Sequence, residues 1–166
     1  MMSFVKSLMY GGMDGIITMF NIIASTSGAN ISSIYIIIIS LTVLIADALS
    51  MGISDYMSYE AEQRANKNDV SYTSPMYHGL VTFFSFMIFG AIPLLLYVIL
   101  GRFYKKQLFV VLFLCMTVAF GVLGALRSQL TNEQWYHTSG KMILLGNGTS
   151  ILAYLISNNL ASFIKK

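Results

Sequence analysis

The chain has 166 residues, of which 56% are hydrophobic and only 10% are charged, and its formal net charge is +3. Soluble domains usually contain about 25% charged residues, so this composition predicts a membrane protein. The basic residues are scattered through loops and ends, which excludes an extended nucleic-acid surface. The one cysteine, Cys115, excludes a disulfide within the chain.

Five apolar stretches are long enough to cross a membrane, which takes about 20 mostly apolar residues in a helix. Lipid offers the backbone no hydrogen-bond partners, so these stretches are predicted as helices rather than open strands. In chain order the predicted spans are residues 7–27, 31–57, 79–100, 107–126 and 142–164. The predicted fold class is therefore an all-α membrane protein, with one five-helix transmembrane domain over residues 1–166.

One sizeable hydrophilic segment, residues 58–78, joins spans two and three. Its first half is predicted to continue the helix of span two, and Pro75 to mark the start of span three. Five spans put the two termini on opposite sides, and the positive-inside rule should choose the orientation. It does not, because five basic residues fall on each side: Lys6, Arg64, Lys67, Arg127 and Lys141 against Arg102, Lys105, Lys106, Lys165 and Lys166.

Span one carries one continuous polar face. In a membrane such a face must point into a helix bundle or a wet cavity. Hydrogen bonding between helices would explain most of it, but a buried carboxylate is costly unless it has a partner or a task, and Asp14 therefore favours a path for ions. Gly11 and Gly15 form a GxxxG pair, which predicts the close approach of another helix. The face consists of Ser7, Gly11, Asp14, Thr18, Asn21 and Ser25, at spacings of three and four residues.

Span two places Asp47, Met51 and Asp55 one helical turn apart along one side. Carboxylate oxygens hold hard and borderline cations, and a thioether sulfur favours a transition metal such as Fe²⁺ over Mg²⁺ or Ca²⁺. Met51 alone would be weak evidence, because the chain has 11 methionines and most must simply pack. The two neighbouring carboxylates make it a candidate ligand.

Acidic residues in the hydrophilic segment add a candidate mouth for this path. Glu60 and Glu62 are explained most simply as a solvated helix face, but acids at a pore mouth also gather cations. His78 and His137 lie at span edges and are not spaced as a metal-binding pair. The predicted metal-binding residues are Asp14, Asp47, Met51, Asp55 and Glu62.

The sequence also resembles a known family in five consecutive pieces. They are "GGMDGIITMFNIIASTSGA", "ADALSMGISDYMSYEAE", "TFFSFMIFGAIPLLLY", "VAFGVLGALRSQLT" and "LLGNGTSILAYLI". Together they resemble the vacuolar iron transporter (VIT) family over essentially the whole chain. The resemblance implies a five-helix protomer that works as a homodimer, with a path between the subunits lined chiefly by the first two helices.

The resemblance further implies transport of Fe²⁺, and often Mn²⁺, out of the cytosol into a vacuole-like lumen, with protons moving the other way. The protein would lie in a vacuolar or other organelle membrane, with its N-terminus and the 58–78 segment in the cytosol and its C-terminus in the lumen. The metal ions and protons would be cargo, and no resident cofactor is expected. No nucleophile–base pair or enzyme motif is present, so catalysis is not predicted.

Two residues match the family's site directly. Asp14 matches its membrane aspartate, and Met51 matches its metal-binding methionine. The family often has a glutamate two turns before that methionine, where this chain has Val43. We infer that Asp47, one turn closer to Met51, supplies the carboxylate instead.

Many members also insert a cytosolic helical domain that captures iron between spans two and three. Here that place holds residues 58–78 alone, with the acids Glu60, Glu62 and Asp69. The chain therefore resembles a short branch without a dedicated cytosolic metal store.

The expected mechanism is alternating access. The metal would pass Asp55 and Glu62, then bind Asp47, Met51 and Asp14 from both subunits, and protons from an acidic lumen would compete for the same oxygens. Two alternatives stay open: a passive cation channel that uses the same polar stripe, and a membrane scaffold in which the stripes serve only assembly.

Overall fold

A computed structural model of the chain describes residues 2–65, 74–103, 107–131 and 133–164. It contains five α-helices, which confirms the all-α prediction and places one helix at each predicted span. The segment from 66 to 73, with Lys67 and Asp69, and the basic residues Lys105, Lys106, Lys165 and Lys166 lie outside the described residues. The helices are α1 (Met2–Gly28), α2 (Ser33–Ala65), α3 (Pro75–Phe103), α4 (Leu108–Thr131) and α5 (Trp135–Ile164).

Both predictions about the hydrophilic segment agree with the helix boundaries. Helix α2 continues past the predicted end of span two to Ala65, and Pro75 is the first residue of α3. Proline suits this position because its fixed φ fits a helix and its missing N–H would have no helical partner there.

Three of the described helices are long and apolar enough to cross a membrane: α2, α3 and the part of α4 from Leu108 to Gln129. Helices α1 and α5 have 27 and 30 residues, which is sufficient length. Their polar side chains, such as Asp14 in α1 and Asn147 in α5, lower their hydropathy. Length and composition therefore both support a membrane span for α2, α3 and α4, whereas length alone supports one for α1 and α5.

A tight turn makes α1 and α2 antiparallel. After α1 ends at Gly28, the amide of Ile31 donates to the carbonyl of Thr26 at 3.1 Å, and Asn30 adopts a positive φ of 57°. Asparagine tolerates this left-handed conformation at the end of a helix better than most residues do. The amide of Tyr35 then donates to the carbonyl of Ser32 at 3.0 Å, where α2 begins.

Helix α1 lies at the centre of the molecule and contacts each of the other four helices. Its apolar side, including Ile16, Phe20 and Ile23, is completely buried. These side chains pack with Phe120 of α4 and other residues into one core, while a smaller core forms around Phe86 of α3, between α1 and α2. The bundle is therefore organised around α1, with α3 as its nearest neighbour.

Glycines allow α1 and α3 to touch through their backbones. A Cβ atom added at Gly11 would lie 2.5 Å from the carbonyl oxygen of Thr82, and one at Gly15 would lie 2.7 Å from that of Phe86. These distances are too short for real atoms, so any side chain would push the helices apart. The close helix packing predicted from the GxxxG pair is confirmed, and its partner is α3.

The substitution Gly11→Ala tests this contact. The added methyl group has to move α3, and overpacking of this kind typically costs about 1–3 kcal/mol. We expect a lower free energy of unfolding in detergent, measured by denaturant titration of the purified protein.

Gly148→Ala is the matched control, because a Cβ at Gly148 would meet nothing within 4 Å. Alanine is favoured over glycine within a helix by up to about 1 kcal/mol, so this variant should be as stable as the original protein or slightly more stable. Equal losses in the two variants would contradict the proposed role of the α1–α3 contact.

Candidate functional site

The antiparallel packing of α1 and α2 brings two of the predicted metal-binding carboxylates together. The carboxylates of Asp14 on α1 and Asp47 on α2 lie within electrostatic range of each other, and the Thr18 hydroxyl lies beside Asp14. In the protomer Asp14 is exposed and Asp47 is half-buried. Two carboxylates at membrane depth repel each other unless a cation or a proton lies between them. This pair is therefore suited to binding a cation.

The other predicted ligands continue along α2. Met51 and Asp55 follow Asp47 at one-turn intervals, and Glu62 lies further along the same helix, about 22 Å from Asp47 along the helix axis. Met51 is half-buried and packs against the core formed around Phe86, whereas Glu62 is exposed. The row thus extends from the middle of the bundle to its end.

Asp55 is held by two hydroxyl groups from two other helices. Its Oδ2 accepts hydrogen bonds from Ser7 Oγ of α1 at 2.7 Å and from Thr82 Oγ1 of α3 at 2.6 Å. Both hydroxyl-bearing residues are buried. Hydrogen bonds from hydroxyls to a carboxylate at such distances are strong, so they fix the position of the Asp55 carboxylate.

His78 of α3 completes this cluster. Its Nδ1 lies 3.1 Å from Ser7 Oγ, its ring stacks on that of Tyr59 with 3.9 Å between centroids, and the residue is fully buried. The charges of Asp55 and Glu62 both act on it. The cluster formed by Ser7, Asp55, His78 and Thr82 therefore joins α1, α2 and α3 at one end of the bundle.

The contribution of α3 to this cluster was not predicted. Span three was expected to be an uncharged stretch, and His78 a residue at a span edge. The signal was present, because His78, Thr82 and Ser85 recur at spacings of four and three residues and form one polar face. That face meets α1, where Ser85 Oγ also donates to the carbonyl of Leu8 at 2.5 Å.

The polar face of α1 serves several purposes along its length. Near its C-terminal half, Asn21 Oδ1 accepts hydrogen bonds from Ser150 of α5 at 2.7 Å and from Thr149 at 3.2 Å. Hydrogen bonding between helices therefore accounts for Asn21, as the simpler explanation of the stripe expects. Ser7 instead hydrogen-bonds to Asp55, and Asp14 lies within electrostatic range of Asp47.

Within the described residues, no group of three His, Cys, Asp or Glu side chains is placed to hold a metal ion. The predicted site residues form two sets instead: Asp14 with Asp47 in the middle of the bundle, and Asp55 with Glu62 around His78 at its end. One protomer, as far as it is described, thus provides pairs of charged ligands.

Comparison with known proteins shows similarity along nearly the whole chain. A family model described as the VIT family matches residues 5–73 and 65–158. The vacuolar iron transporter of Plasmodium berghei is 26% identical over 218 residues, covering 91% of this chain and 80% of that protein. The corresponding Plasmodium falciparum transporter is 23% identical over 219 residues, covering 92% and 80%.

A vacuolar iron transporter of Toxoplasma gondii is 43% identical over 60 residues, which cover 36% of this chain and 20% of that protein. No solved structure matches the chain.

The two segments of the family match overlap at residues 65–73, inside the hydrophilic segment between α2 and α3. The alignment to the Plasmodium berghei protein has 218 positions, more than the 166 residues of this chain, so it contains gaps on this side. Because the family match covers most of the chain in order, this chain belongs to the VIT family.

Proposed function

We propose that this protein carries Fe²⁺ across an organelle membrane, out of the cytosol and into a vacuole-like lumen. The observation that carries the proposal is the Asp14–Asp47 pair, two carboxylates from neighbouring helices of a membrane protein. Its relatives are named vacuolar iron transporters, which supports iron as the cargo. Mn²⁺ is a second expected cargo, because it accepts the same oxygen ligands.

Asp47 is proposed to replace the glutamate that the family often has at the position of Val43. Its charge acts on Asp14, so the two carboxylates lie within electrostatic range of each other in one protomer. Met51, one turn along α2, adds a soft sulfur ligand that favours Fe²⁺ over Mg²⁺ and Ca²⁺. Asp55 and Glu62 lie towards the end of the bundle and are proposed to receive the cation at the cytosolic mouth.

A homodimer would complete the site. Each protomer offers a carboxylate pair and one thioether, and Asp14 is exposed on the surface of the single protomer. Two-fold symmetry brings the same patch of both subunits together, which would double the set to four carboxylates and two sulfurs around one axis. Such a set satisfies the coordination needs of a divalent transition metal.

Exchange against protons follows from the same ligands. A carboxylate has to lose its proton before it binds a metal, so protons from an acidic lumen compete with Fe²⁺ and promote its release there. Alternating access would let the same oxygens carry metal in one direction and protons in the other. The segment between α2 and α3 is short, so we propose a short form of the family without a cytosolic metal store.

The first test is uptake into liposomes that contain a metal-sensitive dye. Purified protein is reconstituted, and Fe²⁺ or Mn²⁺ is added outside with and without an acidic interior. Uptake that increases with the pH gradient supports the exchanger. Uptake that ignores the gradient indicates a passive channel, and no uptake by folded protein indicates a membrane scaffold.

Asp14→Asn should abolish this uptake without unfolding the protein. The amide keeps the shape of the side chain but removes the charge that binds the cation and the proton. Glu133→Gln is the control, because Glu133 lies just before α5, away from the predicted ligands, and the hydrogen bond that its Oε2 accepts from Thr138 at 2.9 Å can also be accepted by an amide oxygen. Normal uptake by Asp14→Asn would show that the proposed site is wrong.

Met51→Leu should weaken Fe²⁺ binding and leave the packing nearly unchanged. Leucine has a similar volume but no sulfur, so we expect the KM for Fe²⁺ to rise on the order of tenfold, equivalent to about 1.4 kcal/mol. The KM for Mn²⁺, which prefers oxygen, should change less. Met57→Leu is the control, since Met57 is 60% exposed on the same helix. Equal effects of the two substitutions would assign Met51 to packing alone.

A further inference from the structure

We propose that Ser7 and Thr82 are positioning residues that set the Asp55 carboxylate to receive the metal ion at the mouth of the path. This inference rests on the proposed function and deepens it. It adds helix α3 to the transport machinery, although the predicted ligands all lie on α1 and α2. The main observation behind it is that hydroxyls from two different helices donate to the same oxygen, Asp55 Oδ2.

The geometry fixes one oxygen and leaves binding capacity on the carboxylate. An ionised carboxylate offers two oxygens and about four acceptor sites, of which the two hydroxyls occupy two on Oδ2. With donors at 2.7 Å and 2.6 Å, the group cannot rotate freely about its last bond. A carboxylate oriented in this way loses less conformational entropy when it binds a cation than a mobile one does.

The direction of each hydrogen bond supports this orientation of the Asp55 carboxylate. A hydroxyl has one proton, so Thr82 Oγ1 donates it to the charged Asp55 Oδ2 at 2.6 Å in preference to the carbonyl of Ser7 at 3.4 Å. Ser7 likewise donates its proton to Asp55, so we assign to His78 the tautomer with a proton on Nδ1, 3.1 Å from Ser7 Oγ, which then accepts it. His78 thereby keeps the Ser7 hydroxyl turned towards Asp55.

The surrounding backbone keeps these partners in place. A Cβ atom added at Gly79 would lie 2.6 Å from the carbonyl oxygen of Gly52, so α2 and α3 touch one turn away from Asp55 and Thr82. Gly11 and Thr82 make the corresponding contact between α1 and α3. Three helices are thus locked around Asp55, and its orientation is set by the fold.

Residues that hydrogen-bond to a metal ligand affect how well the site binds its metal. A ligating carboxylate is itself usually hydrogen-bonded, and removal of such a partner typically lowers metal affinity or activity about 10–100-fold. If the hydroxyls served only to hold helices together, their loss would reduce stability and leave the apparent metal affinity unchanged. The two roles therefore predict different measurements.

The test compares Thr82→Val with Thr82→Ser in the liposome uptake assay. Valine has nearly the same shape but no hydroxyl, so we expect the KM for Fe²⁺ to rise about tenfold with a smaller change in the maximal rate. Serine keeps the hydroxyl and should restore the KM. Thr42→Val is the matched control, because the exposed Thr42 hydroxyl bonds to the carbonyl of Ile38 in its own helix, at 2.9 Å. Equal KM values for Thr82→Val and Thr42→Val would overturn the proposal.

A double-mutant cycle separates positioning from general packing. In an Asp55→Asn background, Thr82→Val should raise the KM no further, because there is no charged ligand left to orient. A full additional effect in that background would show that Thr82 acts independently of Asp55 and would overturn the proposal. Ser7→Ala provides the second variant if Thr82→Val does not fold, and it is expected to raise the KM in the same way.

The measurements distinguish an error in the proposed transport function from an error in the positioning role of Ser7 and Thr82. If the unsubstituted protein is folded and moves no metal, the proposed function is wrong and the positioning role falls with it. If that protein moves metal and neither Thr82→Val nor Ser7→Ala changes the KM, only the positioning role is wrong. Direct binding of Mn²⁺ to the protein in detergent, followed by its electron paramagnetic resonance signal, should weaken in parallel with the KM of the same variants.

Discussion

The cost of a carboxylate inside a membrane is the constraint on which the rest of this structure depends. A charged group in hydrocarbon needs a partner of opposite charge, strong hydrogen bonds or a proton. Three carboxylates lie within the apolar parts of α1 and α2, and their surroundings differ. Asp55 has two buried hydroxyl donors, whereas Asp14 and Asp47 lie within electrostatic range of each other, with the Thr18 hydroxyl beside Asp14. Asp14 and Asp47 have less compensation from hydrogen bonds than Asp55, so they are the pair best suited to bind a cation.

Close backbone contacts make the compensation of Asp55 possible. Serine and threonine hydroxyls are short, so they reach a carboxylate on another helix only where the helix axes approach closely. Gly11 lets α1 approach Thr82, and Gly79 lets α3 approach Gly52. Small residues at such crossings are typical of membrane helices, where packing rather than water drives association. In this protein they also bring donors from α1 and α3 to one acceptor on α2.

The charged residues of α1 and α2 fall into two sets at different positions along the bundle. Asp55 and His78, with the exposed Glu62 nearby, lie at one end of the bundle, and Asp14, Asp47 and Met51 lie nearer the middle of its length. A chain whose α2–α3 segment is short has few other acids with which to gather metal. On the proposed function, its outer set takes over the collection of cations from the cytosol, and the inner set performs the exchange against protons.

Much of this architecture was predicted from the sequence. Hydropathy and helix length determined the five helices, because burial in lipid is a property of each segment by itself. The spacing of Asp47, Met51 and Asp55 placed them on one side of α2, and the spacing of Gly11 and Gly15 indicated a close helix contact. These are local regularities of a helix with 3.6 residues per turn, so they need no knowledge of neighbours.

Only the tertiary structure decided which helices face each other. The sequence could not show that α3 is the partner of the GxxxG pair, that Asn21 bonds to α5 while Ser7 bonds to α2, or that His78 and Thr82 belong to the cluster at Asp55. Each of these contacts joins residues far apart in the chain, such as Ser7 and His78. Helix periodicity gives the face on which a side chain lies, but the choice of partner depends on how all the helices pack, and that is a property of the whole bundle.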